Sequence, residues 1–479
     1  MRGSTPPNLV AIDLGAESCR VSLLQWKDEA PHLELIHRFA NSPVATGSEL
    51  HWNLTRILAE IEKGLHLCAE RSSAPIASIG VDGWAVDYVR LNGDGLPSAE
   101  PFCYRDPRTE AVEAKLHLRC TREELFSLSG VQPLRINTLY QLMADEAAGM
   151  PATARWVNLP EHVLARLGGR SVSEFTNATH SGLVDIATGA WNPEIFALCG
   201  LHSNAAPQLV STGSEIGTVA ASFRRLPAFR ETRLIAPACH DTASAVAGIP
   251  MEGEDWAYLS SGTWSLIGAV LDSPIKTLAA CRAGFTNLGA AGGRVCFHKN
   301  VNGMWLLKQT LNQLCASPDL WPMPELVAAA EQVRCPDLLL DVDDPSLWAQ
   351  GDMATRINRQ LAARGSAPIE EHSSAMPEFA CLIFHSLARR YAEVLRHLEE
   401  LTGRQLTRLA VVGGGSLNQF LNRLTAEATG LEICRGVAES STIGNLAVQL
   451  ATLEGSPNSR SRIAHWAHVL TLAEHCKAL

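Results

Sequence analysis

The chain has no long apolar run. Across its 479 residues the hydrophobic stretches are strand-length and broken by glycine or charge, which excludes a transmembrane helix. The opening residues, Met1 to Pro7, lack the apolar core of a signal peptide, so a cytoplasmic address is expected. The 13 cysteines form no Cys-x-x-Cys pair and no Cys/His cluster at zinc-finger spacing. Their odd number fits reduced, buried thiols better than a disulfide framework. Positive charge is in deficit: 40 Lys and Arg against 50 Asp and Glu leave a net charge of −10, with a pI near 5.9. Nucleic-acid binding is therefore not expected, because duplex affinity comes from basic side chains neutralising phosphates. A single nucleotide held by local N–H groups and a metal is not excluded. Missing too are the Walker phosphate loop, the Gly-x-Ser-x-Gly elbow, the His-Glu-x-x-His zinc motif and the protein-kinase signature set.

What is present starts with an ordinary globular composition, 46% hydrophobic and 19% charged. The length exceeds one core, so two or three domains are expected. One device occurs twice. Leu9 to Ile12 runs into Asp13-Leu14-Gly15-Ala16-Glu17-Ser18 and leaves through Arg20 to Leu24. Ala257 to Leu259 runs into Ser260-Ser261-Gly262-Thr263 and leaves through Trp264 to Gly268. Each reads as a β-hairpin whose tip of glycine and hydroxyl residues exposes backbone N–H groups to a phosphate. A third strand at 33–39, a helix at 54–68 capped by Asn53 and a buried strand at 76–81 follow the first hairpin. After the second come a long helix at about 379–401, a strand at 409–412 and a closing helix at 442–453. Residues 238–253 read as the domain junction. The Pro- and Asp-rich stretch 317–368 reads as an α-helical insertion with loops.

Several residues carry both a functional and a plain reading. Asp13 ends its strand where it can hold Mg²⁺ through water, or bond its own turn. Asp241, in His240-Asp241-Thr242, is placed to act as general base on a hydroxyl, or to cap a helix. Trp84 and Asp87 suit a sugar, whose C–H face packs on the indole while acids take hydroxyls; a half-buried strand with solvated acids is the alternative. The glycine run at 413–415 admits a nucleotide ahead of a helix N-terminus, or is a tight turn. Asn300 reads a hydroxyl or caps a helix.

These stretches together resemble the FGGY carbohydrate kinases. The resemblance is carried by Ala11 to Ala16, Gly80 to Asp87, Tyr104 to Asp106, Asn137 to Leu142, Thr176 to Thr179, His240 to Val246, Tyr258 to Ser265, Lys299-Asn300 with Gly303 and Trp305, and Val412 to Gly415. It implies an α/β fold of two actin-like (ribonuclease H-like) domains, with mixed sheets flanked by helices and a cleft between the domains. The expected divisions are 1–243, 253–454 and a helical tail at 455–479. It implies ATP and Mg²⁺ as cofactors, a small ketose phosphorylated at its C1 hydroxyl, no nucleic-acid or membrane partner, and a monomer or homodimer. L-rhamnulose is the expected ketose, with L-fuculose, xylulose or glycerol as alternatives. A non-catalytic sugar sensor is a further one, against which stand the retained Asp241 and a first strand that begins by Leu9. By resemblance, Ala16, Glu17, Ser18, Cys19 and Arg20 surround the ATP phosphates, and Thr263 reaches the γ-phosphate region. Gly414 and Gly415 lie against the nucleotide. Asp241 is the base, with His240, Thr242, Trp84, Ala85, Asp87 and Asn300 around the sugar. Ala85 stands where the family has Gly, and Lys308 where it has Gln; a lysine there can serve phosphate as a point charge.

Overall fold

The structure is a computed structural model that describes residues 6–151, 153–334 and 336–477. Two compact units divide the chain. One holds residues up to 252, 270–297 and those from 439 on; the other holds 253–269 and 298–438. The chain therefore crosses between them four times rather than once at the 238–253 junction.

In the first unit, β1 (Asn8–Leu14) is buried along its whole length. Such a strand belongs mid-sheet, covered on both faces. It pairs antiparallel with β2 (Ser18–Lys27), which pairs with β3 (Ala30–Ala40). On its other edge it pairs parallel with β4 (Ile76–Gly83). With β5 (Ser214–Thr218) and β6 (Arg233–Ala236), the order is β5-β6-β4-β1-β2-β3. Strand alternation sends Val10, Ile12 and Leu14 to the side of α1 (Leu54–Arg71), which buries Ile57, Ile61, Leu65 and Cys68 there. Asn53 Oδ1 accepts the Arg56 N–H at 2.9 Å and caps this helix.

Between β4 and β5 lie α2 (Thr138–Ala147) and α3 (Leu159–Arg166), and β6 leads into α4 (Asp241–Ala247). The second six-stranded sheet has the order β9-β10-β8-β7-β11-β12. These strands are Trp256–Ser261 (β7), Trp264–Leu271 (β8), Thr286–Ala290 (β9), Arg294–Asn302 (β10), Arg408–Val412 (β11) and Glu432–Arg435 (β12). Again an antiparallel hairpin, β7–β8, sits beside a parallel pair, β7–β11. The same pairing thus recurs around both hairpins.

In the second unit, α5 (Trp305–Leu314), α6 (Met376–Thr402) and α7 (Gln419–Thr429) pack on this framework. The 317–368 stretch contains helices Met323–Glu331 and Met353–Ala363. Two C-terminal helices belong to the first unit. α8 (Ser440–Leu453) covers the face of β1 and β4 opposite α1. There a Cβ at Gly80 would lie 2.5 Å from Asn445 Oδ1, so glycine lets the helix close on the sheet. α9 (Arg460–Lys477) lies against β3, with Trp466 edge-on to Trp26. Among the described residues no helix is long and apolar enough to cross a membrane.

Candidate active site

The first hairpin tip is built around Gly15. A Cβ there would sit 2.4 Å from the Ser18 carbonyl oxygen, so the turn admits only glycine. The Gly15 and Glu17 carbonyls are drawn to Asn41, at 3.1 and 2.9 Å. Ala16 and Ser18 are half-buried and Glu17 is exposed. Cys19 points into the core; burial pushes its thiol up to about 12. Among the expected phosphate contacts it therefore offers backbone only. Arg20 is held by two carboxylates, Nη1 to Asp13 at 3.2 Å and Nε to Glu439 at 3.3 Å.

Asp13 sits opposite Asp82 in the parallel β1–β4 register. Both face α8, which meets them with a polar stripe at four-residue spacing. Ser441 donates to Asp13 at 2.8 Å, Asn445 to Asp82 at 2.6 Å, and Gln449 accepts from Ser78 at 2.7 Å. Burial raises the Asp13 carboxyl, against the pull of Arg20. Burial raises Asp82 further, assisted by the negative charge of Asp13 and Asp241. Asp82 Oδ1 is buried without a partner. Among the described residues no set of three or more metal-ligating side chains converges.

Asp241 is the first residue of α4. The N-cap is His240, with no side-chain cap bond, so Asp241 is not spent as a cap. Its side chain remains 37% exposed. One oxygen, Oδ1, takes Thr242 Oγ1 at 3.1 Å and lies 3.2 Å from His240 Nε2. Burial, then the Asp13 charge, pushes its carboxyl up to about 7, a value suited to accepting a proton near neutrality. The loop before it is pinned from below. Glu174, wholly buried, accepts the Cys239 N–H at 2.9 Å, the Thr176 hydroxyl at 2.5 Å and the Thr212 hydroxyl at 2.6 Å. Thr176 Oγ1 in turn accepts the His240 N–H at 3.3 Å. Neither Glu174 nor the polar stripe of α8 was singled out from sequence. The i, i+4, i+8 spacing of Ser441, Asn445 and Gln449 was the available signal.

The Trp84 to Asp87 segment departs from expectation. Asp87 is fully buried, and its carboxylate is occupied by protein. Trp52 Nε1 donates at 2.6 Å, Trp84 Nε1 at 2.9 Å, Gln141 Nε2 at 3.1 Å and the Tyr104 N–H at 3.3 Å. It thus orients two indoles, with ring centroids 4.6 Å apart, instead of presenting an acid to a hydroxyl. Trp84 and Ala85 are nearly buried, and between Ala85 and Asp87 the β-branched Val86 has φ of 70°. That left-handed conformation costs about 1–3 kcal/mol. Thr138 Oγ1 and Gln141 Nε2 hold it by donating to the Val86 carbonyl, at 2.7 and 3.3 Å.

In the second unit, Gly262 and Thr263 form the hairpin tip, and their carbonyls accept the Met304 and Trp305 N–H groups at the start of α5. Lys308 is exposed on α5, and Asn300 is exposed on β10 and caps no helix. The glycine run divides by role. A Cβ at Gly413 would lie 2.8 Å from the Ser261 carbonyl oxygen, and one at Gly415 only 1.9 Å from Ser261 Oγ. These two glycines let the turn close on β7. Gly414 is exposed and has nothing within 4 Å of a Cβ. It alone is left for a ligand.

The model of the FGGY family of carbohydrate kinases, N-terminal domain, matches residues 8–248, and that of the C-terminal domain matches 257–453. A rhamnulokinase of Bacteroides thetaiotaomicron is 35% identical over 450 residues, covering 93% of this chain and 91% of that protein. One from Pectobacterium carotovorum is 36% identical over 469 residues, covering 97% and 91%. The crystal structure of a ligand-bound xylulose kinase from Lactobacillus acidophilus shares the fold, with a TM-score of 0.76 at 13% identity over 98% of each chain. The chain belongs to the FGGY family of carbohydrate kinases.

Proposed function

We propose that the enzyme phosphorylates L-rhamnulose at its C1 hydroxyl, with ATP as phosphoryl donor, giving L-rhamnulose 1-phosphate. The observation that carries the reaction is Asp241: a partly exposed carboxylate on the first turn of α4, hydrogen-bonded by Thr242, beside His240, and raised to about 7. Such a group takes the proton of an attacking hydroxyl; phosphoryl transfer otherwise needs positioning and charge neutralisation. The sugar is named by the two rhamnulokinases, each matched over more than nine-tenths of this chain.

In this reading the Trp84 indole, fixed by Asp87, is an apolar wall for the sugar, and His240, Thr242 and Asn300 are hydroxyl partners. Ala16 to Arg20, Thr263, Gly414 and Lys308 serve the nucleotide, the first group through backbone N–H groups. The expected divisions 1–243 and 253–454 lie close to the stretches matched by the family's two domains, 8–248 and 257–453. Asp82 Oδ1, buried and unpartnered beside Asp13, fits a divalent cation better than it fits a void. Asp13 and Asp82 would hold Mg²⁺, whose contribution is to neutralise phosphate charge. The described cysteines are all free thiols, consistent with a reducing cytosol.

A coupled ADP assay across a ketose panel tests this. L-rhamnulose is expected to give the highest kcat/KM, ahead of L-fuculose and xylulose. Preference for xylulose or glycerol would overturn the sugar and leave the kinase standing. Asp241→Asn is expected to lower sugar-dependent turnover by about 10²–10⁴-fold; a change of only a few-fold would remove Asp241 from the role of base.

A further inference from the structure

His180 lies one residue past the Thr176 to Thr179 stretch, on the short turn Thr179–Ser181. Its Nε2 is 3.0 Å from His240 Nδ1, and the two rings are 3.9 Å apart at their centroids. His240 is nearly buried, and its other nitrogen, Nε2, is 3.2 Å from Asp241 Oδ1. The three side chains form one file: His180, His240, Asp241.

The proton positions follow from charge. An ionised carboxylate only accepts hydrogen bonds. With its Nε2 facing Asp241 Oδ1 at 3.2 Å, His240 is then assigned its proton on Nε2, toward the carboxylate. A neutral imidazole has one N–H, so Nδ1 of His240 is an acceptor. The nitrogen facing it, His180 Nε2, must be the donor. The charged groups around this file are Asp241 itself, then Asp13, Asp82 and Arg20, which bear on Asp241 through the field. Buried Glu174 holds the Cys239 N–H from beneath.

We propose that His180 is a positioning residue for phosphoryl transfer: its Nε2–H locks His240 in the Nε2–H tautomer, which keeps a donor on Asp241 and aims its other oxygen at the substrate hydroxyl. This rests on Asp241 being the base. Without His180, the Nδ1–H tautomer of His240 becomes accessible. It would turn a lone pair toward Asp241 Oδ1, and the carboxylate would lose both its orientation and its anion-stabilising partner.

The test uses the full chain with ¹⁵N-labelled histidine. Side-chain ¹H–¹⁵N spectra report the His240 tautomer directly, and steady-state kinetics are run on the same samples. The parent is expected to show the Nε2–H form of His240. His180→Ala is expected to populate the Nδ1–H form and to lower kcat about 10–100-fold, with the ketose KM changed far less. His180→Gln places an amide N–H near the same point and cannot titrate; it is expected to restore both tautomer and kcat. An unchanged His240 tautomer in His180→Ala would overturn the proposal. So would a doubly protonated His240 in the parent at pH 8, or a Gln variant as impaired as the Ala variant. Asp241→Asn separates the two readings. If it retains turnover, the base assignment fails, while the His240 spectrum of the His180 variants still decides the tautomer lock.

Discussion

Asp13 and Asp82 stand opposite each other on neighbouring parallel strands, and Arg20 makes its ion pair with Asp13. Arg20 and Ser441 both donate to Asp13, whereas Asp82 has Asn445 on one oxygen and nothing on the other.

Asp82→Asn removes a buried charge and is therefore expected to stabilise the metal-free protein at pH 7. The folded carboxyl lies well above its ordinary 3.8. Its penalty is absent below the unfolded value and grows as pH rises toward the folded one. The gain over the parent should thus vanish near pH 3–4 and be largest at neutrality. Differential scanning calorimetry across pH measures it, and equal melting temperatures at pH 7 would contradict it. Mg²⁺ with ATP should stabilise the parent more than the variant.

The acid limb of kcat/KM should follow Asp241. Its carboxyl is raised to about 7 by burial and the Asp13 charge. The base acts only when ionised, so activity is lost as pH falls through that value, by about tenfold per unit below it. Asp13→Asn removes one cause of the rise and should move the limb to lower pH. A limb that stays near 4 in the parent would show that Asp241 is not the group that titrates.

Gly414 and Gly415 should respond oppositely to alanine. At Gly415 the new Cβ meets Ser261 Oγ at 1.9 Å and its Cβ at 2.5 Å. Overpacking there is expected to destabilise by about 1–3 kcal/mol. At Gly414 the space is open, so Gly414→Ala should melt like the parent and raise the KM for ATP. Unaltered ATP kinetics in Gly414→Ala would detach this glycine from the nucleotide.

Asp87→Ala leaves the Trp52 and Trp84 N–H groups without their acceptor. Each buried donor left unpaired costs about 1–3 kcal/mol. Melting temperature should fall, indole fluorescence should change, and the ketose KM should rise while the ATP KM holds. Equal rises in both constants would indicate general damage instead of a loosened sugar wall.

The hairpins, the capped α1 and the long α6 were legible because each follows from local pattern: alternation, helical periodicity, and a cap residue at the start. The periodicity placed α1 at 54–68, and the helix runs on to Arg71, since its last turn adds no apolar signal. Asp241 was legible as a carboxylate heading a small-residue helix. The role of Asp87 was not. An acid two residues past Trp84 looks the same in sequence whether it faces water or, as here, the indoles of Trp52 and Trp84. The glycine run was half legible: two of its members answer to Ser261, some 150 residues away, and no local rule reveals that approach.

By itself the sequence determined the elements, the repeated hairpin and the family, since these rest on neighbours along the chain. Only the tertiary structure decided which polar groups are charged, paired or idle. Ser441 reaches Asp13, Asn445 reaches Asp82 and His180 reaches His240 across 428, 363 and 60 residues. Burial and the field of distant charges set the protonation of Asp241. Those are properties of a place in three dimensions, and a residue acquires them only when folding brings its partners there.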